Sequence, residues 1–118
     1  MTRDVRLELI DLVKLRARFD DDEELLEEIF RVFIGEVPER RANILAALAA
    51  GDLDRLSRLA HSLKGVAGTM YAEDLRQAAY DVEKAAKDGD GAQAANLGAG
   101  LLDLLQRTSE DLENFVNA

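Results

Sequence analysis

Residues 53–70 read LDRLSRLAHSLKGVAGTM, and the fold turns on how this stretch is wound. An α-helix advances by about 100° per residue. Wound that way, Leu56, Leu59, Leu63, Val66 and Met70 share one side. Asp54, Ser57, Arg58, Lys64, Gly65 and Gly68 fall within roughly 60° of His61 on the other side. This two-sided pattern is that of an amphipathic helix packed on a core. His61, the sole histidine among 118 residues, then stands in the middle of the face turned to solvent.

The flanking sequence supplies further helices of the same kind. Gly51 followed by Asp52 reads as a helix stop and a helix start. Upstream, Leu26, Ile29, Phe30, Phe33 and Val37 form a stripe that resumes at Ile44, Leu45 and Leu48. Pro38 interrupts it, and an interior proline typically costs about 3 kcal/mol. A kink or a break is expected there, and the continuity of the stripe favours a kinked single helix. Asp22 can cap that helix, with Glu23 and Glu24 in its first turn where the dipole favours them. Val5, Leu9, Leu12 and Val13 mark an earlier helix that runs out in FDDDEE.

Beyond the opening stretch, a helix begins near Glu73 with Leu75, Ala78, Ala79, Val82 and Ala86 inward, and stops in KDGDG. A last helix carries Leu97, Leu101, Leu104, Leu105, Leu112, Phe115 and Val116, a stripe that could serve a core or a dimer. Short connections between long amphipathic helices make neighbours antiparallel. The expected fold is all-α: an antiparallel up-and-down four-helix bundle with an additional N-terminal helix, its stripes packed as core.

Composition narrows the function. Hydrophobic residues make up 47% of the chain, enough for a packed domain, with one proline and few aromatics. The net charge of -9 repels phosphate backbones and anionic lipid, so neither nucleic acid nor membrane is expected as a partner. The lack of cysteine excludes disulfides and thiolate metal sites. MTRDVRLELIDLVKLR has scattered charges rather than a secretory core, and a cytoplasmic setting is expected. No G-x-x-x-x-G-K-[ST] run exists, and one histidine cannot make a histidine-rich metal site. The G-V-A-G run imitates the loop of an RNA-binding KH module, which needs strands and basic charge.

The face around His61 is unusual. Gly65 and Gly68 lie inside a helix, where each costs about 1 kcal/mol relative to alanine, and they clear bulk from beside the imidazole. Lys64 can bring an ammonium to whatever the ring carries. A bare surface, a nucleophilic nitrogen and an adjacent cation describe a place to hold a phosphoryl group. If the chain reverses near Ala72, His61 lies eleven residues before the turn and Glu83 eleven after it. A carboxylate there can accept from Nδ1–H and leave Nε2 as the nucleophile. Asp81, on the other flank of the same stripe, is the alternative. Arg55, Arg58 and Lys64 form a basic strip that either steers docking or simply solvates the helix.

AHSLKG followed by VAG, then Leu75 and the pair Val82–Glu83, resembles the histidine-containing phosphotransfer (HPt) domains of bacterial two-component phosphorelays. The resemblance covers nearly the whole chain as one domain, 1–118, including the proline and the Gly-Asp ahead of the histidine helix. It implies that His61 is the phosphoacceptor, that Lys64 steadies the phosphoryl group and that Glu83 orients the imidazole. Gly65 would give a partner access; on the face read above, Arg58, Ser57 and Gly68 complete the docking surface, and Tyr71 joins it where the helix runs on. It also implies a phosphotransfer protein without kinase activity of its own and with no cofactor of its own, the Mg²⁺ belonging to the partner. Expected partners are response regulator receiver domains, with a histidine kinase upstream. A freestanding monomeric shuttle is the expected form. One position departs from the family: Tyr71 stands where a turn glycine is usual. Tyrosine is ill suited to positive φ, so the helix is expected to run on or the turn to differ. On a continuing helix, Tyr71 would project beside Lys64. The competing reading is a helical module that binds a partner through the same face without being phosphorylated.

Overall fold

The computed structural model describes residues 7–118, which form five helices and no strand. Val5 lies outside the described residues. The helices are α1 (Leu12–Arg18), α2 (Glu23–Ala50), α3 (Leu53–Thr69), α4 (Glu73–Lys87) and α5 (Gly91–Val116). α2 packs on α3, α3 on α4, α4 on α5, and α5 back on α2, closing an up-and-down bundle. The α3–α4 pairing is the most extensive.

Aspartates start four of the five helices. Asp11, Asp22, Asp52 and Asp90 each accept from the backbone N–H three residues on, satisfying one of the donors a helix N-terminus leaves unpaired. α2 stops at Gly51, whose φ of 65° lets its N–H turn back onto the last carbonyls of the helix. Pro38 does not break α2, which runs unbroken across it. The proline removes a single backbone bond, and burial of Phe33, Val37 and Ile44 holds the helix together on either side.

The core runs the length of the bundle. Leu26, Phe30, Ile44, Leu56, Leu63, Leu75, Leu101, Leu105, Leu112 and Phe115 are all fully buried. Phe30 and Phe115 meet edge to face, ring centroids 5.1 Å apart. The stripe of α5 is thus taken up by this chain's own core. Two expected core residues are exposed, Val13 at 81% and Leu45 at 51%. Each lies one position beyond the arc its neighbours cover. α1 also starts later than its apolar pattern suggests. Asp11 caps it, so Leu9 precedes the helix, and the buried anchor is Leu15. The Asp111 carboxylate accepts from the N–H groups of Glu8 and Leu9 and ties this segment to α5.

The α3–α4 turn keeps a tight form despite its tyrosine. α3 ends at Thr69, and Tyr71 takes φ 54°, the left-handed conformation a glycine would supply. Such a φ strains any residue with a Cβ. Tyr71 is held there because its side chain packs against the core and its carbonyl accepts from the Asp11 N–H. The helix stops short of it, so Tyr71 does not project beside Lys64 as a continuing helix would require.

Candidate functional site

The turn at residues 70–72 sets the register of the α3–α4 hairpin. Lys64 lies eight residues before Ala72 and Tyr80 eight after it; His61 and Glu83 lie eleven on either side. The side chains meet accordingly. His61 Nδ1 is 2.7 Å from Glu83 Oε2, and the Lys64 ammonium donates to Glu83 Oε1 at 2.7 Å. The same ammonium sits over the Tyr80 ring, 5.6 Å from its centroid. From the next turn of α4, Lys87 reaches Glu83 Oε2 at 3.2 Å. Asp81 takes no part, accepting instead from the Gln77 amide.

Burial divides these groups. The His61 side chain is 67% exposed, whereas Glu83 is only 3% exposed. Burial by itself would raise the Glu83 carboxyl. Hydrogen bonds from Lys64, His61 and Lys87 outweigh it and lower the group from 4.5 to about 2. Glu83 is therefore a carboxylate at neutral pH and can only accept. The proton between it and His61 must sit on Nδ1, so in the neutral ring the lone pair is on Nε2, at the exposed edge.

The helical wheel treats both flanks of His61 as solvent, but α4 covers one of them. Ser57 and Lys64 lie on that flank. Ser57 is buried, level with Lys87 in the hairpin register, and cannot belong to an open docking face. Lys64 is 26% exposed and already paired, rather than free in water. On the open flank Arg58 is exposed and paired with Asp54 one turn earlier. Arg55 leans toward α2, donating to the Asn43 side-chain oxygen at 3.4 Å. The basic strip is thereby reduced close to the imidazole, and its charge there comes from Lys64 and Lys87.

The two glycines differ. A Cβ on Gly65 would meet nothing within 4 Å, while one on Gly68 would touch the Arg76 stem at 3.7 Å, an ordinary contact. Nothing inside the chain requires glycine at position 65, although it costs the helix about 1 kcal/mol. Sequence reasoning missed Tyr80 and Lys87. Both were legible as the i−3 and i+4 neighbours of Glu83, once Glu83 is known to turn toward α3.

Among the described residues, no helix is long and apolar enough to cross a membrane. Nor does any group of three or more His, Asp or Glu residues come together as a metal site. The Hpt domain family model matches residues 28–114, from the first turns of α2 to near the end of α5, and the chain belongs to that family. Hpt domains are phosphotransfer intermediates of phosphorelays, not kinases. The fold is similar to the crystal structure of histidine-containing phosphotransfer protein B (HptB) from Pseudomonas aeruginosa PAO1, with a TM-score of 0.84 and 24% identity. That match covers 93% of this chain and 96% of the other. No curated protein sequence matches the chain.

Proposed function

We propose that this protein carries a phosphoryl group on His61 Nε2 between receiver domains of a phosphorelay. The observation that carries the reading is an exposed His61 ring whose Nδ1 is bound to the buried, ionised Glu83, which leaves Nε2 as the free nitrogen. The aspartyl phosphate of a receiver approaches over Gly65, where no side chain blocks the way. The Nε2 lone pair attacks phosphorus in line. The bond from phosphorus to the aspartate oxygen breaks, and the carboxylate leaves with the bonding pair. The Nδ1 proton stays on the ring. As the N–P bond forms, the imidazole gains positive charge, and Glu83 lies against Nδ1–H where it can offset that charge. Lys64 offsets negative charge on the equatorial oxygens. The Mg²⁺ of the exchange belongs to the receiver, and this chain brings no cofactor. Transfer to a second receiver is the same step reversed.

The docking surface in this reading is centred on the open flank of α3, with Arg58 and Gly65, and reaches Gly68 on the side toward α4, where a Cβ would touch the Arg76 stem. Ser57, which is buried, and Tyr71, which is partly buried in the turn, are left out of this surface. A histidine kinase upstream charges the first receiver, and the exchange is expected in the cytoplasm, with this protein as a monomer.

The test is phosphate labelling. Incubation with a radiolabelled phospho-receiver should give an acid-labile, alkali-resistant label that is lost in His61→Gln. Receiver binding without label, across a panel of receivers, would replace this reading with that of a module that binds through the same face and is never phosphorylated.

A further inference from the structure

The proposed function asks Lys64 to attend the phosphoryl group, yet its ammonium is already committed. It donates to Glu83 Oε1 at 2.7 Å with the Tyr80 ring against it. For Lys64 to turn outward, it must leave a carboxylate that is 3% exposed. Stripping the counter-charge from a buried carboxylate is strongly unfavourable unless another cation remains. The structure supplies one. Lys87 Nζ lies 3.2 Å from Oε2, the oxygen it shares with His61 Nδ1. Its side chain is 63% exposed and its ion pair is with Oε2, whereas Lys64 donates to Oε1, so the two ammonium groups hold different oxygens of the carboxylate.

We propose that Lys87 is a positioning residue for phosphotransfer: it holds the charge of Glu83 while Lys64 swings from Oε1 to the incoming phosphoryl group. The inference rests on the proposed function and extends it. Lys64 has a flexible four-carbon stem suited to such a swing. The group starts with two ammonium charges on one carboxylate, a surplus of one positive charge. After the swing the surplus has moved with Lys64 to the phosphoryl oxygens, and the Glu83–Lys87–His61 part stays paired. No bond is made or broken at Lys87.

The experiment measures transfer rates from a phospho-receiver to the wild type, Lys87→Gln, Lys87→Arg, Glu83→Gln and the Glu83→Gln/Lys87→Gln pair. Lys87→Gln should slow transfer about fivefold, in keeping with a partly exposed ion pair, and Lys87→Arg should restore most of the rate. The decisive comparison is in the Glu83→Gln background. A neutral amide needs no counter-cation, so Lys87→Gln should there change the rate less than about twofold. An equal slowing in both backgrounds would make Lys87 a docking charge and overturn the proposal. A wild-type rate in Lys87→Gln would overturn it too. Absence of label on the wild type would instead remove the proposed function itself, which keeps the two failures apart. Circular dichroism confirms folding of each variant. Should Lys87→Gln unfold, Lys87→Met in the same two backgrounds supplies the comparison.

Discussion

Glu83→Gln tests the electrostatic core of the site through stability alone, with no partner required. The carboxyl falls from 4.5 to about 2 on folding because three donors meet it in a buried position. A group whose folded pKa is lowered adds stability above its unfolded value and loses it as the pH falls toward the folded one. Taking 1.36 kcal/mol per pH unit, Glu83 contributes about 3 kcal/mol at pH 7. Linkage leaves a little over 1 kcal/mol of that at pH 3, and almost nothing below pH 2. Glutamine keeps the shape and does not titrate. Urea unfolding of the wild type and Glu83→Gln at pH 7, 4.5 and 3 should show a stability gap that narrows by about 2 kcal/mol across the series. A gap that stays constant with pH would mean that Glu83 is not ionised against these donors. The tautomer assigned to His61 would then lose its basis.

Four further substitutions, at three positions, probe the site and the packing of the bundle. Lys64→Ala should slow phosphotransfer and also lower the unfolding free energy by about 2 kcal/mol, since it removes a donor from a buried carboxylate; unchanged stability in a urea titration would contradict the pairing with Glu83. Gly65→Ala should raise stability by up to about 1 kcal/mol, because its Cβ meets nothing and alanine favours the helix. Gly65→Leu should fold equally well yet impair transfer, and a wild-type rate for that variant would remove the argument for clearance over His61. Gly98→Val should cost about 2 kcal/mol by thermal or urea unfolding, because even a Cβ there would lie 2.9 Å from a Leu48 methyl.

Much of this architecture was legible because local rules and tertiary packing agree. Asp52 and Gly51 mark the α2–α3 junction in sequence as they do in space. The pairing of His61 with Glu83 followed from counting outward from Ala72, a calculation that needs only a hairpin without slippage. What escaped depended on neighbours. A helical wheel gives angles but not which flank another helix covers, so Ser57 and Lys64 were placed in solvent although α4 lies over them. Burial of a carboxylate cannot be read from its spacing, and without it Lys87 is one more surface lysine. Tyr71 escaped for a different reason. Its strained φ is sustained by core packing and by a hydrogen bond from Asp11, sixty residues away in the chain.

The proposed function asks an acidic protein to serve an anionic group, and the distribution of charge allows it. The net charge of -9 is spread over a body 49 Å long, and exposed charges lose their influence beyond a Debye length of about 8 Å. What an anion approaching His61 would meet is set by the nearest groups. Arg58 is offset by Asp54, whereas Lys64 and Lys87 together face one carboxylate. That carboxylate is buried and its partners are not, so the negative charge is turned inward while the positive charge reaches solvent. Exchanging Glu83 for an exposed acid elsewhere would leave the net charge unchanged and still remove this arrangement. The sign of the local field at Nε2 thus comes from where one side chain is buried, and net charge by itself would have pointed the other way.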